Sequence, residues 1–308
     1  MITTRYILAF TGQVLLFILL SLLLWRVSPG GFPLGKLAVL AVLLGVAARG
    51  AWVALQFSLS HFLRSPRRED TRLGCIGSLY MVFTEVLLTT LMICLFIPLA
   101  NYLVARRRAF IITSQERPVL LIHGYATNCG IWTPMMRYLI RRGVTSVFTM
   151  NLEPRFGDID EYAQQVAAQV TRIRNTTRAS KVVLVAHSMG GLVARAYIER
   201  FGGAARVAKL VTIGTPHHGT AMARIAPGVN GTQMRRGNAW LDALNRDENY
   251  GDSVPYVSIY STHDNVVFPQ NSAEFGKARN VEIVGRGHFT LIFSKEVGRL
   301  VYREIVSA

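Results

Sequence analysis

The first third of the chain is much more apolar than the rest, and this unevenness constrains the fold more than any other feature of the sequence. Residues 6–25 form a stretch without a charged side chain, bracketed by Arg5 and Arg26. A helix of about 20 residues is roughly 30 Å long, the thickness of the hydrocarbon core of a bilayer. The stretch therefore predicts a membrane span. A cleaved signal peptide is the alternative, although its apolar part would be unusually long and no A-x-A site follows.

Two more apolar stretches complete this part of the chain. One covers residues 34–63 and contains Arg49, and the other covers residues 75–104 and contains Glu85. A charge at membrane depth is costly, so a re-entrant or interfacial helix is the alternative for the stretch with Arg49. We predict a transmembrane helical region over residues 1–105. Its predicted spans are residues 6–25, 34–57 and 77–103.

Positive charge clusters beside these apolar stretches, and the formal net charge is +16. Arginines fill the loop before the third stretch, and others open a predicted basic linker at residues 106–117. These clusters would lie on opposite faces of a membrane, so the positive-inside rule does not decide the orientation. Anionic lipid headgroups explain the charge. No module that combines basic and aromatic residues indicates nucleic acid, so the bilayer is the predicted partner.

From residue 118 to residue 308, short apolar runs alternate with amphipathic stretches. This alternation predicts an α/β domain, with a mostly parallel sheet flanked by helices on both faces. Asp158 is a predicted N-cap, because it precedes a run with apolar residues at helical spacing. The predicted strands are 118–124, 144–150, 181–186, 207–213, 255–260 and 280–284. The predicted helices are 133–142, 159–174, 190–200 and 294–305.

Residues 219–253 interrupt this alternation with several glycines and few strand-forming residues. A long excursion between strands is often functional, so we predict a cap or lid there, with a disordered loop as the alternative. We expect its apolar residues, such as Trp240, Leu241 and Leu244, to face an apolar ligand.

The segment VVLVAHSMGG, residues 182–191, places a serine where a predicted strand turns into a predicted helix. The residues two before and two after Ser188 are Ala186 and Gly190, small enough for a tight backbone turn. Such a turn holds the serine rigidly above the sheet, and the free N–H groups of the helix face an anion formed there. Ser188 is therefore the predicted nucleophile for attack on a carbonyl.

A serine hydroxyl needs a base to take its proton and a carboxylate to orient that base. His288 follows the last predicted strand and is the predicted base, and Asp264 follows the strand before it and is the predicted acid. Asp242, Asp247 and Asp252 in the predicted cap are the alternative acids.

Two backbone N–H groups are expected to stabilise the oxyanion that this attack forms. One belongs to Met189, directly after the nucleophile, and the other to Tyr125, in the loop after the first strand. His123 and His187 are interpreted as structural, and His217 and His218 as part of the pocket wall. No acidic cluster or cysteine spacing indicates a metal site, and no cofactor is predicted.

Five segments in this order resemble bacterial triacylglycerol lipases of the α/β-hydrolase fold. They are PVLLIHGY, VVLVAHSMGGLVARAYIER, KLVTIGTPHHGT, STHDNVVFP and GRGHF. Ala186 replaces the more common glycine of the G-x-S-x-G motif, as in the small Bacillus-type lipases. The resemblance implies an ester substrate with an apolar acyl chain. It assigns the nucleophile to Ser188, the acid to Asp264, the base to His288 and the oxyanion donors to Tyr125 and Met189. Residues 1–105 have no counterpart in those lipases.

The sequence therefore predicts an integral membrane protein of a bacterial inner membrane. Its predicted activity is hydrolysis of lipid carboxylic esters through an acyl-enzyme on Ser188. An acyltransferase or thioesterase with the same triad is the alternative, because the acyl-enzyme half-reaction is shared. A non-enzymatic membrane interaction protein fits less well with an intact triad. The sequence leaves the substrate headgroup, the chain length and the oligomeric state open.

Overall fold

The structure, a computed structural model, describes residues 34–105, 117–246 and 254–308. The predicted span 6–25 lies outside these ranges, as do residues 106–116 of the predicted linker and the end of the predicted cap. Within the described residues, six parallel strands form one sheet in the order β2-β1-β3-β4-β5-β6. The strands are β1 (Val119–Ile122), β2 (Val147–Thr149), β3 (Val182–His187), β4 (Val207–Ile213), β5 (Tyr256–Ser261) and β6 (Ala278–Ile283).

Helices cover both faces of this sheet, which confirms the predicted α/β fold class. The strands β1 and β3 are buried throughout, as expected of parallel strands that are covered on both sides. Asp158 caps its helix by accepting the backbone N–H of Asp160 at 2.7 Å. The helices that follow β1 are α4 (Thr133–Arg141), α5 (Ile159–Thr177), α6 (Met189–Arg200), α7 (Gly228–Gln233), α8 (Ala239–Arg246), α9 (His288–Phe293) and α10 (Lys295–Val306).

Three helices precede the sheet in the chain: α1 (Leu34–Phe62), α2 (Cys75–Leu91) and α3 (Ala100–Ala105). A wider turn at Met92–Phe96 extends α2. We call α1, α2 and this turn, residues 34–96, the N-terminal hairpin. In the described part of the chain, segments Val39–Phe62 and Cys75–Phe96 are long and apolar enough to cross a membrane.

The N-terminal hairpin packs against the sheet domain along one side. On α2 and its extension, the side chains of Met81, Glu85, Thr89 and Met92 are buried, and they follow each other at helical spacing. Met92 belongs to the same apolar core as β1 and β3. The opposite side of the hairpin is apolar and exposed. Examples on α2 and its extension are Leu79, Tyr80, Phe83, Leu87, Leu91 and Leu95.

The described part of the predicted cap, residues 219–246, divides into two halves. The first contains a short 3₁₀ turn, Ala221–Arg224, and α7. The second is α8, whose residues Leu241 and Leu244 are buried in the core formed by α5, α6 and β3. Trp240 packs on the same core and donates from Nε1 to Asp160 Oδ2 at 2.9 Å. The expectation that these three residues face a ligand is therefore wrong, because an amphipathic helix turns its apolar side to the core.

Candidate active site

Ser188 lies at the sharp turn between β3 and α6. Its backbone has φ 56° and ψ −129°, a conformation that side-chain-bearing residues rarely adopt. The turn is packed so closely that a Cβ atom on Gly190 would lie 2.6 Å from the carbonyl oxygen of His123. A Cβ on Gly124 would lie 2.7 Å from Cβ of Ser188. These contacts explain why small residues surround the serine.

Asp264 and His288 form a buried pair beside this turn. His288 Nδ1 lies 2.8 Å from Asp264 Oδ2. The other carboxylate oxygen, Oδ1, accepts the backbone N–H groups of Val266 and Val267, each at 2.8 Å. The carboxylate is therefore held in place from both sides, and His288 donates from Nδ1. Nε2 is left as the ring nitrogen that can accept a proton.

The electrostatics of the site favour a basic His288. Burial alone would lower the pKa of His288, but the charge and hydrogen bond of Asp264 raise it above its ordinary value. The ring of His187 lies 4.6 Å from the His288 ring, measured between ring centres and at a tilt of 44°, and its Nε2 lies 3.3 Å from the carbonyl oxygen of His288. Burial lowers the pKa of His187 well below the ordinary range. His187 thus stays neutral and adds no competing positive charge.

The two predicted oxyanion donors belong to segments next to Ser188. Met189 is the first residue of α6, and the first N–H groups of a helix have no partner within it. Tyr125 follows Gly124, and its hydroxyl donates to the carbonyl oxygen of Pro227 in the cap at 2.7 Å. His123 braces this loop. Its Nε2 accepts the N–H of Leu152 at 3.0 Å, and burial lowers its pKa to about 4.

Ser188, His288 and Tyr125 all line one cavity of about 500 Å³. Besides the loops that carry the site residues, two parts of the chain contribute much of its lining. The wall from the N-terminal hairpin includes Arg49, Trp52, Gln56, Thr89, Met92 and Ile93. The wall from the cap includes Thr220, Met222, Ile225, Ala226, Pro227 and Met234. Histidines aside, Arg49 and Arg155 carry the only charged side chains among the described lining residues.

The remaining candidates from the sequence lie elsewhere. Asp242 is an exposed residue of α8, whereas Asp247 and Asp252 lie outside the described residues. His217 is buried in the segment after β4, where its Nε2 lies 3.2 Å from Thr212 Oγ1, and His218 is exposed. Neither lines the cavity, so the interpretation of these two histidines as pocket wall is wrong.

Sequence reasoning missed the contribution of the N-terminal hairpin to this site. Residues 1–105 and 118–308 were predicted as separate regions, but α1 and α2 provide one wall of the cavity. One sequence feature could have indicated this contact: polar residues recur on one face of otherwise apolar helices. Gln56 and Ser60 on α1, and Glu85 and Thr89 on α2, each lie four residues apart and share one helical face.

Comparison with known proteins agrees with the fold. Residues 117–232 match the family described as alpha/beta hydrolase fold. A triacylglycerol lipase of Pseudarthrobacter phenanthrenivorans is 33% identical over 114 residues, which cover 34% of this chain and 35% of that protein. A triacylglycerol lipase of Burkholderia plantarii is also 33% identical over 114 residues, covering 34% and 31%. The chain thus spans about a third of the length of these curated relatives.

Solved structures show the same fold at low sequence identity. A mature Bacillus licheniformis lipase has a TM-score of 0.55 at 18% identity, covering 62% of this chain and 91% of that one. Aspergillus fumigatus lipase B has a TM-score of 0.58 at 19% identity, covering 65% and 54%. From residue 117 onward, the chain therefore has the α/β-hydrolase fold, and part of this region is similar in sequence to the triacylglycerol lipases named above.

Proposed function

We propose that this protein is a serine hydrolase that cleaves carboxylic esters of lipids at a membrane. The observation that carries the proposal is the joint position of Ser188 and His288 at one cavity, with Asp264 bonded to His288 at 2.8 Å. Ser188 supplies the nucleophile, His288 the general base and Asp264 the carboxylate that orients it. The relatives named triacylglycerol lipase support an ester as the substrate.

The reaction proceeds in two balanced halves. His288 Nε2 takes the proton of Ser188 Oγ as that oxygen attacks the ester carbonyl, and the N–H groups of Tyr125 and Met189 stabilise the oxyanion. The intermediate collapses, the alcohol leaves with the proton from His288, and the acyl group remains on Ser188. Water then attacks the acyl-enzyme as His288 takes its proton, the bond between Ser188 Oγ and the acyl carbon breaks, and His288 returns the proton to Ser188 Oγ as the carboxylic acid is released.

The cavity suits a substrate with a long apolar part. Side chains such as Trp52, Met92, Ile93, Met222 and Ile225 surround the space beside Ser188. Apolar walls of this kind gain free energy when they replace water with hydrocarbon. An acyl chain therefore fits between the N-terminal hairpin and the cap.

Membrane association is part of the proposal because of the exposed side of the N-terminal hairpin. Large apolar side chains there include Phe83, which is 64% exposed, and Leu79, which is 65% exposed. A continuous apolar surface of this kind is costly in water. The inner side of α2 is docked on the sheet domain at Met81, Glu85 and Thr89. While docked, the helix offers only its outer side to lipid.

The test of the proposed function is replacement of Ser188 by alanine in the full-length protein in detergent. Wild type should hydrolyse p-nitrophenyl esters and react with a fluorophosphonate probe, and Ser188→Ala should do neither while it keeps its fold. Ser58, an exposed serine of α1, provides the matched control Ser58→Ala, which should remain fully active. Labelling of Ser188→Ala at the wild-type rate would show that the nucleophile is another residue.

Acyl transfer to an alcohol is the second candidate. Rat 1-acylglycerol-3-phosphate O-acyltransferase ABHD5 is 26% identical over 106 residues, which cover 32% of this chain and 30% of that protein. The acyl-enzyme is common to both reactions, so only the acceptor differs. An assay that supplies a lysolipid alcohol together with the ester distinguishes hydrolysis from acyl transfer. Formation of a new ester at the expense of free acid would favour transfer.

A further inference from the structure

Three consecutive backbone N–H groups at the start of α9 are bonded to side chains that come from, or are held by, the N-terminal hairpin. Oε1 of Glu85 accepts the N–H of Phe289 at 2.9 Å, and Oε2 of Glu85 accepts the N–H of Thr290 at 2.9 Å. The N–H of His288 itself is accepted by Asn265 Oδ1 at 2.9 Å. The backbone that carries the proposed base is thus fixed by two side chains.

Glu85 is fully buried, with no exposed surface. It reaches the site because Gly287 leaves room for it: a Cβ atom on Gly287 would lie 2.5 Å from Glu85 Oε2 and 2.9 Å from Asn265 Oδ1. Burying a carboxyl group is costly unless its oxygens are satisfied. Both oxygens of Glu85 accept hydrogen bonds from the two residues directly after His288, which offsets part of this cost.

The acid of the pair is braced by the same hairpin. Ser60 Oγ of α1 donates to the carbonyl oxygen of Asp264 at 2.7 Å. Asn265 Nδ2 donates to Gln56 Oε1 of α1 at 3.0 Å. Two residues of α1 therefore hold the loop that contains Asp264, while Glu85 of α2 holds the segment that contains His288.

We propose that Glu85 is a positioning residue for His288, so that the N-terminal hairpin completes the catalytic site as well as contacting the membrane. The proposal rests on the role of His288 in the proposed function. It goes further because it makes a residue of the apolar N-terminal region necessary for the geometry of the acid–base pair. Glu85 acts through the backbone of Phe289 and Thr290 and does not touch the substrate.

The same carboxyl group also faces His288 electrostatically. The titratable groups around the His288 ring are Asp264 on the loop after β5, His187 at the end of β3, and Glu85 on α2. After Asp264, the charge of Glu85 contributes to raising the pKa of His288. Burial opposes the charge on Glu85, and the N–H groups of Phe289 and Thr290 favour it. Loss of that charge should lower the pKa of His288, which a purely structural role elsewhere would not do.

The experiment compares Glu85→Gln with wild type in the full-length protein in detergent, using a soluble p-nitrophenyl ester. Glutamine has the same shape, but its amide NH₂ cannot accept one of the two backbone N–H groups. We expect kcat to fall about tenfold or more with KM within about twofold, because misplacing a catalytic group affects the transition state. The acid limb of the pH profile should move to lower pH. Glu69→Gln is the charge-matched control, because Glu69 is an exposed acidic residue of the hairpin loop. It should change neither kcat nor the acid limb of the pH profile.

Two further measurements separate a positioning role from a role in folding. Thermal unfolding reports whether the variant is folded, and the rate of fluorophosphonate labelling of the folded fraction reports the reactivity of Ser188. If Glu85→Gln does not fold, Glu85→Asp keeps the charge but shortens the reach, and it should fold with reduced kcat. A folded Glu85→Gln with wild-type kcat and an unmoved acid limb would overturn the proposal while leaving the proposed function intact. A wild type that neither hydrolyses esters nor reacts with the probe would overturn both.

Discussion

The two regions of the molecule place apolar and polar side chains in opposite ways. In the sheet domain, strand residues such as Leu120 and Val185 are fully buried, and charged residues lie mostly outside. In the N-terminal hairpin, apolar residues such as Phe83 and Phe62 are exposed, whereas Gln56, Ser60 and Glu85 are buried. The hairpin thus turns its few polar residues toward the domain, together with apolar residues such as Met92, and exposes many of its large apolar side chains on the opposite side.

This difference teaches how an apolar helix can be specific for one docking site. Apolar contacts are not directional, so they would let α1 and α2 slide against the domain or against lipid. Buried polar groups must find their partners and therefore select one arrangement. Glu85 has two donors in α9, and Ser60 has one acceptor in the loop after β5. The few polar residues of the hairpin therefore fix its position on the domain. Its many exposed apolar residues contact whatever surrounds the protein on the other side.

The largest expected effect tests whether the acid of the site belongs to the sheet domain. Asp264→Asn keeps the shape of the side chain but removes the charge that fixes the His288 tautomer. We expect kcat to fall by a factor on the order of 10⁴, the size seen when a triad aspartate is replaced in the best-studied serine protease. Asp242→Asn, at the exposed residue of α8, should be close to wild type in the same assay. If Asp242→Asn loses activity and Asp264→Asn keeps it, the catalytic acid is Asp242 in the cap.

The next largest effect is expected on vesicle binding, when charges are introduced on the exposed apolar side of the N-terminal hairpin. Introducing a charge at depth costs about 2.5–3.5 kcal/mol for an aspartate at the centre of a membrane helix, and less near the interface. In a chain shortened to residues 34–308, which lacks the predicted span 6–25, the double variant Leu79→Asp/Phe83→Asp should therefore reduce binding to vesicles by at least about tenfold. Hydrolysis of a short soluble ester should persist, because neither residue lines the cavity.

The matched control introduces the same charge on the sheet domain. Val306 of α10 is an apolar residue that is 60% exposed, and Val306→Asp should leave vesicle binding unchanged. If both variants bind vesicles as wild type does, the exposed apolar side of the hairpin is not a membrane surface. If both lose binding, the contrast between the two regions is wrong.

The sequence predicted the sheet domain far better than the relation between the two regions. Ser188, Asp264 and His288 follow strands of a parallel sheet, whose carboxyl ends meet at one edge, so order along the chain was enough to bring them together. The role of Glu85 depends on a contact between residues that are 204 apart in sequence, and no local pattern specifies such a pairing. Trp240 was misplaced because an apolar residue in a cap can face either the ligand or the core.

The pH dependence of the reaction sharpens the comparison, because both regions act on His288. A general base must be neutral, and the pKa of His288 is raised above the ordinary 6.5. Activity should thus be lost as pH falls through a value above 6.5, about tenfold per pH unit below it in kcat/KM. The measurement is a pH profile with a soluble ester in detergent. An acid limb near pH 4 would instead match a group such as His123, whose pKa is lowered to about 4.

The smallest expected effect compares the two walls of the cavity. Ile93 belongs to the hairpin wall and Met222 to the cap wall. A tryptophan at either position takes up space beside the acyl chain, and overpacking costs roughly 1–3 kcal/mol. We expect Ile93→Trp and Met222→Trp each to lower the ratio of long-chain to short-chain ester hydrolysis several-fold. Leu244→Met, a volume-conserving change in the core under α8, should leave that ratio unchanged. The check is a chain-length series of p-nitrophenyl esters on the detergent-solubilised protein. A changed ratio for Met222→Trp alone would confine the acyl chain to the cap side, and the hairpin would then border the cavity without shaping its specificity.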